Sequence, residues 1–270
     1  MKITKITNTK TSVLTQCALG ITGIQTNPDF FPMMEHAREN GVIPNFTLTG
    51  IDLTDELAAR TAQIAGAVAV SVYQTDKNIG YNTIHKLTTL GMNQVNIHLM
   101  VSKQTHQFAH EVIQDITNDP RLEKLNAIVF LGVKPKGRAK TNFTPLPFND
   151  FAVMTAQCME KGVNFGFDSC SAPKFEKFAQ SLPNAKALLQ VSESCESGLF
   201  SSYINQEGKF FPCSFCEGEN EWVEDISVLE YDSFLDVWHH PRVKEWREKL
   251  LGATRNGCRP CLAFPVINEA

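Results

Sequence analysis

Strand-like and helical segments alternate from the N-terminal region to Asp168, and this alternation predicts an α/β fold. The expected architecture is an open, partial (β/α) barrel of about six parallel strands, followed by a small cysteine-rich α+β domain. Three observations carry it. Short runs of Val, Ile, Phe and Thr recur at a regular interval. Segments of helical period separate them. Six of the eight cysteines fall from Cys170 onward.

The strand-like runs are Thr15–Gly20, Ile43–Leu48, Ala67–Val72, Gln94–Met100, Ala127–Leu131 and Val163–Phe167. They hold few charges, as expected of strands buried on both faces. Met1–Ile6 is a further candidate. Phe30–Asn40 carries Phe30, Met33, Met34 and Ala37 and ends at Gly41, a helix C-terminal signal. Thr54–Ala65 opens on a capping threonine. Tyr81–Leu90 ends at Gly91, Thr105–Thr117 aligns Phe108, Val112 and Ile116, and Phe148–Glu160 ends at Lys161-Gly162. A doubly wound sheet has the same periodicity and is the alternative. In both folds ligands sit beyond the C-terminal strand ends. Those ends carry Thr22, Gln25, Thr49, Asp52, Gln74, Asp76, Ser102, Lys103, Lys134, Arg138 and Asp168.

Helical periodicity weakens after Asp168. Leu199–Ile204 and Lys209–Phe211 flank Gly208 and predict a hairpin. Glu217–Asp225 has five acidic residues and reads as a solvated loop. Phe234–Leu250 reads as a short helix, a break at Pro241 and a longer helix with Val243, Trp246 and Leu250 inward. So little regular structure implies that bound metal supplies part of the folding energy. The expected domains are residues 1–165 and 166–270.

The chain has 270 residues, 43% hydrophobic and 20% charged, with a formal charge of −4. Such a chain buries roughly 75% of the surface it exposes when unfolded. The charge balance argues against duplex nucleic acid as partner. No apolar run approaches the ~20 residues of a membrane helix. The opening MKITKITNTKT lacks the apolar segment of a secretory signal, so a cytoplasmic setting is expected.

In a reducing compartment, clustered cysteines read as metal ligands before disulfides. Cys213 and Cys216 form one Cys-x-x-Cys pair, Cys258 and Cys261 another. Four such sulfurs suit a zinc knot or an iron–sulfur cluster, and spacing does not choose. Cys170 and Cys195 raise the set beyond one four-cysteine site. Cys17, in a strand, and Cys158, in a helix, read as small buried hydrophobes. Lys134, Lys136, Arg138 and Lys140 concentrate positive charge on a loop, suited to an anion or simply solvated. His106 and His110 lack the glutamate of a His-Glu-x-x-His zinc site and read as exposed. Asn96 and His98 share a strand face and read as a core or ligand-facing pair. Gly20-Ile21-Thr22-Gly23 is no dinucleotide fingerprint, and phosphate-loop and serine-hydrolase signatures are absent from the sequence.

Several segments resemble the radical S-adenosylmethionine superfamily: Asn27-Pro28-Asp29-Phe30, Pro44-Asn45-Phe46-Thr47, Gln94-Val95-Asn96-Ile97-His98, Gly166-Phe167-Asp168-Ser169-Cys170, and Cys195-Glu196-Ser197 through Phe211-Pro212-Cys213-Ser214-Phe215-Cys216. The C-terminal part is similar to its auxiliary-cluster region, of the SPASM or twitch type. The resemblance implies a partial barrel followed by a domain holding an auxiliary [4Fe-4S] cluster, in a family that modifies peptides or proteins or builds cofactors. It implies Cys170, Cys195, Cys213 and Cys261 as ligands, with Cys216 and Cys258 as alternates. It aligns Thr22-Gly23-Ile24-Gln25 with the family's Gly-Gly-Glu-Pro segment, making Gly23 and Gln25, with Asn96 and His98, the candidate cofactor contacts. Two departures follow. No Cys-x-x-x-Cys-x-x-Cys loop occurs in the sequence, and Gln25 replaces a carboxylate. The expectation is a chain truncated or degenerate at its N-terminus that holds an auxiliary cluster and binds a peptide or protein partner, or transfers electrons, without starting radical chemistry alone. Retention of S-adenosylmethionine is doubtful on this reading. The alternatives are an active enzyme completed by a second polypeptide that brings the missing loop, and a zinc-stabilised interaction protein.

Overall fold

The structure, a computed structural model, describes residues 14–21, 23–224 and 226–269. The candidate strand Met1–Ile6, Thr22 and Asp225 lie outside those residues. The described chain divides into two compact units. One holds the residues up to Leu131 together with Val153–Gly166. The other holds Gly132–Ala152 and the residues from Phe167 onward.

The first unit is built on six strands: β1 (Gln16–Gly20), β2 (Ile43–Leu48), β3 (Ala67–Ser71), β4 (Val95–Val101), β5 (Ala127–Gly132) and β6 (Phe165–Phe167). Their spatial order is their chain order. The pairs β1–β2, β2–β3 and β3–β4 are parallel, with Ala18 opposite Asn45, Asn45 opposite Ala67, and Ala69 opposite Asn96. An order without reversal means that every right-handed crossover advances the same way, so the helices share one face. This is the open (β/α) barrel and not the doubly wound sheet, whose order reverses at a switch point.

Between the strands run α1 (Phe30–Glu39), α2 (Asp55–Ile64), α3 (Lys77–Thr89) and α4 (His106–Asn118). A short α5 (Ala139–Asn142) and α6 (Phe148–Lys161) follow β5. Thr54 caps α2 by accepting from the Leu57 amide at 3.2 Å. Asp76 caps α3 by accepting from the Asn78 amide at 3.0 Å. That cap starts α3 four residues before the expected Tyr81.

Burial on both faces holds for β3, where Val68, Ala69 and Val70 are all buried. It fails for the others. In β2, Pro44, Phe46 and Leu48 are buried while Asn45 and Thr47 are half-buried. In β4, Val95, Ile97, Leu99 and Val101 are buried, Asn96 and His98 half-buried, and Met100 exposed. Alternation of this kind follows from a sheet with one face packed and one open. The core contains Val68, Val70, Val95, Ile97 and Ile128 from the strands, and Met34, Ala58, Ile84, Leu87, Val112 and Ile113 from the helices.

The second unit departs further from expectation. Two helices that the sequence pattern missed, α7 (Ala172–Ala179) and α8 (Ala185–Gln190), precede the hairpin. Pro173 in the first turn of α7 marks its start. The hairpin forms from β7 (Tyr203–Ile204) and β8 (Lys209–Phe211), turning at Gly208 with φ of +80°. A third strand, β9 (Ile226–Ser227), adds antiparallel to β8. Then come α9 (Phe234–Trp238), α10 (Pro241–Gly252) and α11 (Val266–Glu269). Phe210, Phe211, Trp222, Ile226, Val237, Val243, Trp246 and Phe264 form an apolar core, so the region does not lack packing of its own. Trp222 sits inside the acidic stretch and is buried, which corrects the solvated-loop reading there.

Candidate metal centre

The second unit gathers thiols around a buried charge pair. Lys134 follows β5 and Asp168 follows β6. The Lys134 ammonium donates to Asp168 Oδ2, and the two side chains are 3% and 17% exposed. Asp168 Oδ1 accepts from the Ser171 amide at 3.1 Å and from its hydroxyl at 2.8 Å. The carboxylate is therefore fixed from two sides. A Cβ at Gly132 would stand 2.9 Å from Ser171 Oγ, so a larger residue there would displace the hydroxyl that bonds Asp168. The ammonium also lies 4.9 Å from the Phe215 ring centroid. Burial alone would lower the Lys134 pKa. Asp168, Cys170 and Cys261 outweigh it and leave the pKa raised. Lys136 donates to the carbonyls of Phe215, at 3.1 Å, and Glu217.

Five thiols share this environment. Cys213 Sγ and Cys216 Sγ are 3.4 Å apart. The hydrogen bond from Cys216, helped by the Phe215 and Cys216 amides and by Lys134, brings the Cys213 thiol down to about 7 against the cost of burial. The same bond, with burial, pushes Cys216 up. Cys170 is raised by its hydrogen bond to Cys261 and then by burial, with Lys134 opposing. Cys261 is correspondingly lowered, and its sulfur also accepts from the Phe264 amide at 3.4 Å. Burial raises Cys195. Its Sγ lies 3.2 Å from Ser197 Oγ, and Cys261 and Cys213 add repulsion.

Backbone contacts hold the segments in place. Arg259 Nε donates to the Cys195 carbonyl at 2.5 Å. Trp246 Nε1 donates to Ser197 Oγ at 3.1 Å and to its carbonyl at 3.2 Å. Cys258 faces elsewhere. Burial and Glu176 push it up to about 12, with Cys195 as a minor neighbour. Within the second Cys-x-x-Cys pair, Cys261 is the member turned toward Cys170. All eight cysteines are free thiols. Among the described residues, no group of three or more His, Cys, Asp or Glu side chains is placed to hold one metal ion.

The other candidates are distributed through the first unit. Gly23 accepts from the Thr26 amide at 3.1 Å and from its hydroxyl at 2.6 Å, closing a turn after β1. Gln25 is exposed and donates to the Asp52 carbonyl at 3.4 Å. Asn96 and His98 share the open face of β4, yet Asn96 Oδ1 accepts from Asn126 Nδ2 at 2.8 Å. Asn96 thus belongs to a row of amides near the N-terminal strand ends, with Asn126 and Asn164. A cleft of about 410 Å³ opens at that end, lined by Thr88, Asn93, Lys124, Asn126 and Asn164 among others. It lies opposite the expected ligand end. His106 and His110 are half-buried and not exposed. His106 Nδ1 is 2.9 Å from the Lys103 carbonyl, and His110 Nδ1 bonds Gln157 Oε1.

The sequence places Lys134 at a strand end and in a cationic loop suited to an anion or solvated, but it does not give the burial of Lys134 or its pairing with Asp168. Of the four loop cations only Arg138 and Lys140 are exposed. The available signal was the placement of Lys134 and Asp168 at successive strand ends.

No protein-family model matches the chain, and no curated protein matches its sequence. Solved structures match its fold. SuiB of Streptococcus suis superposes with a TM-score of 0.62 at 13% identity, over 94% of this chain and 61% of SuiB. SuiB bound to its precursor peptide SuiA gives the same score and identity, over 94% of this chain and 59% of that one. Native anSMEcpe with bound AdoMet gives 0.63 at 12% identity, over 90% of this chain and 71% of that one. This chain spans about three fifths of the SuiB length. At such identities the likeness is one of fold: an open, six-stranded partial (β/α) barrel followed by a smaller cysteine-rich domain.

Proposed function

We propose that this chain is an iron–sulfur protein on a radical S-adenosylmethionine scaffold, with one auxiliary-type [4Fe-4S] cluster on Cys170, Cys195, Cys213 and Cys261. The observation that carries it is the gathering of these thiols, Cys195 and Cys261 buried and Cys170 and Cys213 half-buried, none in a disulfide, beside the Lys134 ammonium. The donor set fits the group. Thiolates are the ligands that iron–sulfur clusters take, and each of the four would bind its own iron. A zinc knot on the same sulfurs is the alternative, and metal and sulfide analysis separates the two. Cys216, hydrogen-bonded to Cys213, is the spare thiol.

When bound, such a cluster supplies one-electron chemistry. The chain's own residues bury the ligands, fix Cys195 through Arg259 and Ser197, and hold Lys134 and Asp168 in place. The sequence contains no Cys-x-x-x-Cys-x-x-Cys loop, and Gln25 offers no carboxylate. A four-cysteine cluster has no open iron position for S-adenosylmethionine. On this reading the protein binds a peptide or protein partner, or passes electrons, and does not initiate radical chemistry by itself. SuiB bound to SuiA and anSMEcpe bound to AdoMet and Cp18Cys peptide support a peptide as the partner class.

Anaerobic purification with iron, sulfide and zinc analysis tests the proposal. The expected result is about four irons and four sulfides per chain, lost in Cys213→Ala and retained in Cys258→Ala. Stoichiometric zinc without sulfide overturns it. Reductive cleavage of S-adenosylmethionine by the protein alone overturns the non-initiating role.

A further inference from the structure

A cluster on these thiols leaves one neighbouring group without a purpose, and the inference below rests on that cluster reading. Lys134 is 3% exposed and is not a ligand. Burying an ion pair costs desolvation that an apolar pair of similar size would avoid. Its ammonium nevertheless meets Asp168 on one side and the Phe215 ring, between Cys213 and Cys216, on another. Cys170, Cys213 and Cys261 all lie within its electrostatic reach. Lys136 ties the same loop to the Phe215 and Glu217 carbonyls, so the ammonium is held on a fixed backbone.

A four-thiolate cluster is anionic, and one-electron reduction adds a further negative charge with no proton to offset it. A fixed cation in a low-dielectric surrounding favours the reduced form over the oxidised one. We infer that Lys134 is a positioning residue that raises the reduction potential of the centre held by Cys170, Cys195, Cys213 and Cys261, while the Asp168 carboxylate opposes it. The electron comes from an external low-potential donor, a reduced viologen in the test below. It enters the cluster, and no bond to Lys134 forms or breaks.

The test is an anaerobic redox titration of the full, cluster-loaded chain with viologen mediators, followed by the paramagnetic signal of the reduced cluster. Lys134→Met should lower the equilibrium constant for reduction about tenfold, equivalent to 59 mV for one electron. Asp168→Asn keeps an oxygen for the Ser171 amide and should shift the midpoint the opposite way. Lys134→Arg keeps the charge and should stay near wild type. A purely structural role would move the first two variants together or not at all, and either pattern overturns the inference. If Lys134→Met takes up no cluster, Asp168→Asn decides alone, and an unmoved midpoint there is fatal. Wild-type protein without iron and sulfide removes the cluster reading and this inference with it. A loaded cluster with an unresponsive midpoint removes only the role of Lys134.

Discussion

The two units bury different kinds of polar group. In the first, the buried polar side chains are hydroxyls: Thr61, Thr83, Thr88, Ser102 and Thr155. Thr83 and Thr88 return their protons to helix carbonyls four residues back, each at 2.8 Å. In the second, two lysines, Lys134 and Lys174, are buried together with Ser171, Ser194, Ser197 and Asn205. Hydroxyls satisfied by their own helix carry no charge and cost little to bury. Ammonium groups are expensive to bury unless paired; Lys134 meets the Asp168 carboxylate and Lys174 the Leu146 carbonyl. The first unit does contain shifted groups, Tyr81 raised by burial and Asp119 held down by Arg121, but it buries no ammonium among the described residues. The second buries two, of which Lys134 lies close to the grouped thiols.

The largest expected effect lies in the scaffold. Ile97 in β4 is fully buried. Ile97→Ala should destabilise the protein by about 2–5 kcal/mol, with the cavity term deciding where in that range. Denaturant unfolding at several pH values checks it. The loss itself should be the same at each pH, since the substitution removes no charged group.

Lys174 gives the next effect. It donates to the Leu146 carbonyl at 2.5 Å, and burial lowers its pKa from 10.5 to about 8. Asp168 opposes this shift and Lys134 adds to it. The unfolded chain holds this proton over a range where the folded chain has released it. Stability should therefore rise as pH increases from about 8 to about 10.5, by on the order of 2 kcal/mol. Below that window the cost of burial is fully present. Lys174→Met should flatten the slope, and the difference between the two titrations isolates it from the thiols. An equal slope in both proteins would place no buried ammonium at that position.

The smallest effect is local. Thr54→Ala removes the side-chain acceptor at the start of α2 and should cost about 1 kcal/mol. The loss should be the same at all pH values where the protein is folded. Amide exchange should quicken first at Leu57, whose N–H loses its partner.

The first unit was the more legible of the two for a physical reason. Its strands and helices are each long enough to show a period, and turn residues such as Gly41 and Gly91 punctuate them. Errors there fall where a cap outranked the apolar pattern, as Asp76 did for α3, or where one open face was mistaken for a buried one, as in β2. The shared face of Asn96 and His98 is visible in the alternation, while the bond from Asn126 to Asn96 is not. In the second unit, elements two or three residues long leave no period to read. The hairpin was found through Gly208, and β9 carries no such mark. Trp222 was lost among acidic neighbours whose side chains do not share its direction. The cysteines were conspicuous, but the choice between Cys258 and Cys261 depends on where Glu176 and Cys170 lie in space. The pairing of Lys134 with Asp168 spans 34 residues.

The bonds from Lys136 to Phe215 and Glu217 bridge 79 and 81 residues. Contacts this distant in sequence set an order of assembly. The six strands of the first unit are complete once Phe167 has left the ribosome, and domains fold as they emerge. The thiol-lined interior cannot close until Cys261 has followed. Closure of that interior is therefore a late event in the life of the polypeptide, on a chain whose scaffold is already standing.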